Sequence, residues 1–180
     1  ILGQVPVSCL AEEIATPGEG QIRALITVAG NPVLSAPDAG KLDAALPGLD
    51  FMVSVDNYLN ETTRHADVIL PGAAYTEKSG TYVNTEGRVQ QGQVAAFPPG
   101  DAREDWTIIR ALSGVIGKAL PFDSLSALRK QMQEACPHFK RLDDPEKAIW
   151  GEFGNVGAMD ADPFKSSMTN FYMTDPIRRA

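Results

Sequence analysis

Apolar residues along this chain come in short blocks, each closed by Gly, Pro or Asn. The first is Ile22-Arg23-Ala24-Leu25-Ile26-Thr27-Val28, stopped by Gly30-Asn31-Pro32. A continuous apolar run of this length, ended by a turn signal, predicts a buried strand. From Asp38 to Leu46 the period becomes helical, with Leu42, Ala45 and Leu46 on one face and Pro47-Gly48 as the stop. Asp50-Phe51-Met52-Val53-Ser54-Val55-Asp56 predicts a second buried strand. Asn60 suits the N-cap of a short helix through Ala66, and Val68-Ile69-Leu70 is a third strand ended by Pro71-Gly72. Strand, helix, strand, short helix, strand is the order of a parallel sheet with crossover helices. The fold class expected is therefore α/β, a Rossmann-like parallel sheet with flanking helices. Right-handed crossovers would bring all three strand C-termini to one edge, with Asn31, Asp56 and Pro71-Gly72 on it.

Beyond that point the pattern loosens. Residues 75–93 are polar and rich in Gly and Thr, with Tyr82-Val83 as a candidate edge strand, and Pro98-Pro99-Gly100 is a loop. Arg103 to Lys118 carries the strongest helical stripe, made by Trp106, Ile109, Leu112, Val115 and Ile116. Ser124 caps a second helix that runs to Cys136. Residues 143–180, rich in Asp, Gly and Pro, predict an irregular, extended C-terminal tail behind an α/β domain over residues 1–142.

Composition narrows the function classes. Sixteen Lys and Arg against 23 Asp and Glu give a net charge of −7 over 180 residues. An acidic chain without a basic block is a poor partner for phosphate backbones, so no nucleic-acid role is expected. An apolar share of 43% supports a packed core, and no run of about 18 apolar residues is present to enter a membrane directly. The start, Ile-Leu-Gly-Gln-Val-Pro, has no basic n-region and no Met, which predicts a piece of a longer protein. Cys9 and Cys136 form no CxxC, and His65 and His138 lie in unrelated contexts. No metal site is expected in this chain, and two free thiols are expected rather than a disulfide.

Three polar groupings are candidates for chemistry. Asn31 and Asp56, at the strand ends, stand where open α/β sheets bind ligands, and a carboxylate there can accept hydrogen bonds from a ribose or a guanine edge. The plainer reading makes Asn31 a turn residue and Asp56 a loop acid. In residues 76–88, Lys78 could neutralise a phosphate. Alternatively Glu77, Lys78, Glu86 and Arg88 form solvated ion pairs, worth under about 1 kcal/mol each. Acids around Asp101–Trp106 suit the first turn of a helix without any ligand. No Ser/His/Asp set, GxGxxG or P-loop is present, so no catalytic residue is assigned.

Several stretches nevertheless resemble the molybdopterin oxidoreductase family: Gly30-Asn31-Pro32, Val53–Asp56, and Arg64–Gly72 with its Ala-Asp-Val-Ile-Leu-Pro, followed by EKSGTYVNTEGRVQ over residues 77–90. Residues 66–135 and the terminal NFYMTDPIRRA (Asn170–Ala180) are similar to one branch, the large iron–sulfur subunits of respiratory complex I. Residues 11–38 and 51–71 are also similar to formate-dehydrogenase-type molybdopterin enzymes. In molybdenum enzymes the positions matching Asn31, Val55, Asp56, Lys78 and Asp105 contact molybdopterin guanine dinucleotide, so the resemblance implies these as cofactor-binding residues where that pocket works.

In the complex I branch the resemblance implies a scaffold segment with no cofactor of its own. The parent subunit would carry iron–sulfur clusters upstream and pack against other hydrophilic-arm subunits. It would lie peripherally at the cytoplasmic face of the bacterial inner membrane or the matrix side of the mitochondrial one. That expectation stands first. A dinucleotide-binding segment of a formate-dehydrogenase-like oxidoreductase and a non-catalytic interaction domain are the alternatives.

Overall fold

The computed structural model describes residues 6–147 together with Gly151, Gly157, Ala161 and Pro163. Most of the expected tail, including Asn170–Ala180, lies outside the described residues. Those described fall into two compact units: residues 6–74 with Pro98–Ile108, and Tyr75–Phe97 with the residues from Ile109 onward.

The first unit contains the expected sheet. Strands β1 (Ala24–Val28), β2 (Phe51–Asp56) and β3 (Val68–Pro71) lie in the order β1-β2-β3, all parallel. Ile26 pairs with Val53 and Val53 with Val68, so side chains of the three strands share faces in register. Asp67 fixes that register: its carboxylate accepts the Met52 N–H at 2.7 Å, and its own N–H donates to the Met52 carbonyl.

Helix α1 (Leu10–Ala15), the single turn α2 (Pro32–Ser35) and α3 (Ala39–Ala45) belong to the same unit, with a 3-10 turn over Leu46–Gly48. α3 sits where Leu42, Ala45 and Leu46 predict it. α1 and α2 are too short to leave a readable period. Ile14, Val33, Leu42, Leu46 and Met52 form the core, with Leu10, Ile22, Leu25 and Ala45 packed against it.

One expectation for the strands fails. β1 is not a buried strand: of its five residues only Thr27 is buried, and Ile26 and Val28 are exposed. The strand lies at the sheet edge, and its side chains alternate between a face that meets the core and one left open.

The segment before β3 is held to α3 by charge. The Asp43 carboxylate accepts hydrogen bonds from the Arg64 guanidinium at 2.6 Å and from His65 Nε2 at 2.7 Å. These partners, Arg64 first, hold its carboxyl below the usual aspartate value of 3.8. A depressed folded-state value adds stability that is complete above the unfolded value and is lost as pH falls through the folded one. Asp43→Asn should therefore flatten the acid limb of the stability profile, read as the urea midpoint between about pH 5 and pH 2. An unchanged slope would show that the cluster contributes nothing.

The second unit begins with an antiparallel hairpin, β4 (Gly80–Val83) and β5 (Val89–Gly92). Asn84 builds its turn, Oδ1 accepting the N–H groups of Glu86 and Arg88, with Gly87 at φ +83°. The Tyr82 ring covers the paired Gly80 and Gly92, which have no side chains to shield that stretch. Arg88 pairs with Glu86 at 2.7 Å, the plainer of the two readings offered for this segment.

Helix α4 (Asp105–Val115) carries the unit boundary within it, and α5 (Leu125–Ala135) starts at Ser124, whose hydroxyl accepts the Ala127 N–H. α4 starts two residues later than its pattern suggests because Arg103 is bound elsewhere: its N–H donates to Pro71 O and its carbonyl accepts from Ala73 N. The expected stripe also finds little cover, since Ile109 and Ile116 are exposed and Val115 is 85% exposed. Cys9 and Cys136 are free thiols, one in each unit.

Candidate functional site at the strand C-termini

Three parallel strands ending together bring Asn31, Asp56 and the Pro71-Gly72 turn to one edge of the first unit. The backbone ties these ends to one another, with Ala29 N donating to Val55 O and Gly72 N to Asp56 O. Side chains then fill the space between them.

The Asp56 carboxylate is 8% exposed. Its Oδ1 accepts the N–H groups of Asn57 at 2.7 Å and Tyr58 at 3.1 Å, and Oδ2 accepts Asn60 Nδ2 at 3.0 Å. Asn60 in turn offers Oδ1 to the N–H groups of Thr62 and Thr63 and so opens the short 3-10 turn Thr63–His65. Thr62 is fully buried. Its hydroxyl donates to Asn31 Oδ1 at 2.7 Å and accepts the Val33 N–H at 3.0 Å. Asn31 Nδ2 donates to Glu61 at 2.8 Å. A continuous hydrogen-bonded path thus runs from Asp56 through Asn60 and Thr62 to Asn31.

Gly72 closes the other side. A Cβ there would lie 3.0 Å from Asp105 Oδ1, 3.4 Å from Val55 Cγ1 and 3.8 Å from Asp56 N. Absence of a side chain is what lets Val55, Asp56 and Asp105 meet. Asp105 reaches this point from the first turn of α4, which the Arg103 bonds hold alongside the end of β3.

Of the five residues singled out by resemblance, Val55, Asp56 and Asp105 are immediate neighbours, and Asn31 joins them through Thr62 and Asn60. Lys78 belongs to the second unit, two residues ahead of β4. Sequence reasoning missed Glu61, Thr62 and Gly72. The signal was the run Asn-Glu-Thr-Thr between a strand end and the next strand, where four polar residues exceed what one helix cap needs.

Chemically, this edge positions chain rather than reactants. It pairs no nucleophile with a base, and among the described residues no three His, Cys, Asp or Glu side chains converge as metal ligands. A guanine edge would need the oxygens of Asp56 and the amide of Asn31. Those atoms already bond to the chain's own groups, so as they stand they do not fit a guanine dinucleotide.

Comparison with known proteins places this geometry. The family model described as molybdopterin oxidoreductase matches residues 1–115. The chain belongs to the molybdopterin oxidoreductase family. A second model, for the C-terminal region of the large, G-type subunit of NADH-ubiquinone oxidoreductase, matches residues 147–180. Among curated relatives, the chain is 48% identical to the mitochondrial NADH-ubiquinone oxidoreductase 78 kDa subunit of Candida albicans over 64% of its length. It is 40% identical over 77% of its length to the 78 kDa subunit of Neurospora crassa, and 47% identical over 64% to the 75 kDa subunit of Reclinomonas americana.

The chain spans 17%, 20% and 17% of those three relatives. Among solved structures, acetylene hydratase from Pelobacter acetylenicus matches 62% of this chain and 16% of its own, with a TM-score of 0.56 and 24% identity. That likeness concerns the family fold. In this family member the parallel sheet and its strand-end edge are present, with the edge occupied by its own polar network.

Proposed function

We propose that this chain is a segment of the large iron–sulfur subunit of an NADH–quinone oxidoreductase and acts as scaffold there, while the whole complex moves electrons from NADH to quinone. The observation that carries this reading is similarity to 75 and 78 kDa subunits over 64% to 77% of the chain, joined to the second family match over residues 147–180. In this reading the chain itself carries no redox centre and no catalytic residue, and the iron–sulfur clusters belong to the rest of the subunit.

Residues 1–142 make its α/β domain and 143–180 a C-terminal tail. The partners are other hydrophilic-arm subunits. The subunit lies peripherally, on the cytoplasmic face of a bacterial inner membrane or the matrix side of a mitochondrial one. Internal use of Asn31 and Asp56 supports the scaffold role, because a strand-end edge that stiffens itself needs no ligand to do so.

A second reading, a molybdopterin guanine dinucleotide holder, is favoured by the family match and by the meeting of Val55, Asp56 and Asp105 at Gly72. There Asn31 and Asp56 would face the guanine, and Lys78 would offset phosphate charge. Metal and pterin analysis of the purified full-length protein separates the two. Iron in excess, with molybdenum and pterin far below one per chain, is the expected result. Molybdenum near one per chain overturns the scaffold reading.

A further inference from the structure

The three-stranded sheet is clothed on one side only. Leu25, Thr27, Met52 and Ser54 face the core, and the Thr27 and Ser54 hydroxyls bond to each other there at 2.8 Å. The opposite side carries Ala24, Ile26 and Val28 from β1, Phe51 and Val53 from β2, and Val68 from β3. Ile26 is 53% exposed and Phe51 48%, and Val28 and Val68 are exposed as well. Register places Ala24 beside Phe51, and Ile26 beside Val53 and Val68, so the side chains form one contiguous apolar patch.

Parallel sheets are covered on both faces in folded proteins, because their strands read as apolar runs and their connections are helices. An uncovered patch of this kind marks an interaction surface.

We propose that this bare face is covered, within the same subunit, by apolar side chains of the polypeptide that precedes residue 1. The inference rests on the reading of the chain as part of the complex I large subunit. The chain spans at most 20% of the three curated relatives, and its own end matches the C-terminal model of the subunit, so the remaining length comes before it.

α1 points the same way. It precedes β1 yet packs on the clothed face, with Leu10 and Ile14 against the core. A right-handed crossover arriving from an earlier parallel strand beside β1 would set its helix there. The outer edge of β1 is paired with no strand among the described residues. A second copy related by a two-fold axis would meet that edge antiparallel, which does not extend a parallel sheet.

The test uses the full-length subunit with cysteine placed on the face, Ile26→Cys and Phe51→Cys, with Ala24→Cys as the substitute if either is insoluble. Maleimide labelling at each position is followed by peptide mass mapping and compared with the same cysteine in urea-unfolded subunit. Labelling at least tenfold slower in the isolated, monomeric folded subunit is expected. Fast labelling there overturns the proposal. If protection appears only on assembly with other subunits, the occupant is another chain; if it appears only as protein concentration rises, it is a second copy. Either outcome also overturns the proposal. Molybdenum at one per chain would remove the complex I reading without altering the labelling result, so the two failures are distinguishable.

Discussion

Asp56→Ala should destabilise the first unit by about 2–4 kcal/mol, from the loss of charge-assisted hydrogen bonds and the stranding of buried donors. The carboxylate is nearly buried and accepts three donors, two of them backbone N–H groups that lead the chain out of β2. Removing it leaves Asn57 N, Tyr58 N and Asn60 Nδ2 without that acceptor, and the Asn60 side chain that opens the next turn loses its anchor. Asp56→Asn should cost less, because one carbonyl oxygen survives to accept the backbone pair. Urea midpoints followed by far-ultraviolet circular dichroism check both. If Asp56→Ala unfolds at the same urea concentration as the parent, the carboxylate is not structural, and the dinucleotide reading of the strand-end edge gains.

Leu42→Ala should cost about 3 kcal/mol, within the 2–5 kcal/mol range for large-to-small changes in a packed core. Leu42 is 1% exposed and belongs to the cluster of Ile14, Val33, Leu46 and Met52 that joins the helices to the clothed side of the sheet. Part of the loss is transfer of the missing carbons, and part is the cavity that α1 and α3 cannot close without shifting. Val115→Ala, in the stripe of α4, should change stability by under about 0.5 kcal/mol in the same chain, because that side chain faces solvent. Equal losses for the two substitutions would mean that α4 buries its stripe after all.

These two substitutions separate what the sequence makes legible from what it hides. β2 and β3 are readable because each is a dense apolar run bounded by turn residues, and α3 because Leu42, Ala45 and Leu46 repeat at helical spacing. Ser124 is readable as a cap because a hydroxyl before a helical pattern has one obvious acceptor role. α1 and α2 have six and four residues, too few for a period to stand out. β5 reads Val-Gln-Gln-Gly, without the apolar alternation that marks a strand.

The candidate site divides in the same manner. That Asn31, Asp56 and Gly72 share an edge follows from strand order and the handedness of crossovers. That Asp56 is spent on Asn57, Tyr58 and Asn60 depends on where a loop of no regular pattern returns, and spacing does not encode it.

On its own, the order of residues determined the class of fold, the parallel sheet, the edge where its strands end and the family resemblance, because apolar periods and turn chemistry act over a few neighbouring positions. Tertiary structure alone decided which apolar residues are covered and which polar atoms are already taken. Ile26 and Met52 look alike in a hydropathy pattern; one meets solvent and the other the core, because burial depends on what distant segments bring to each face of the sheet.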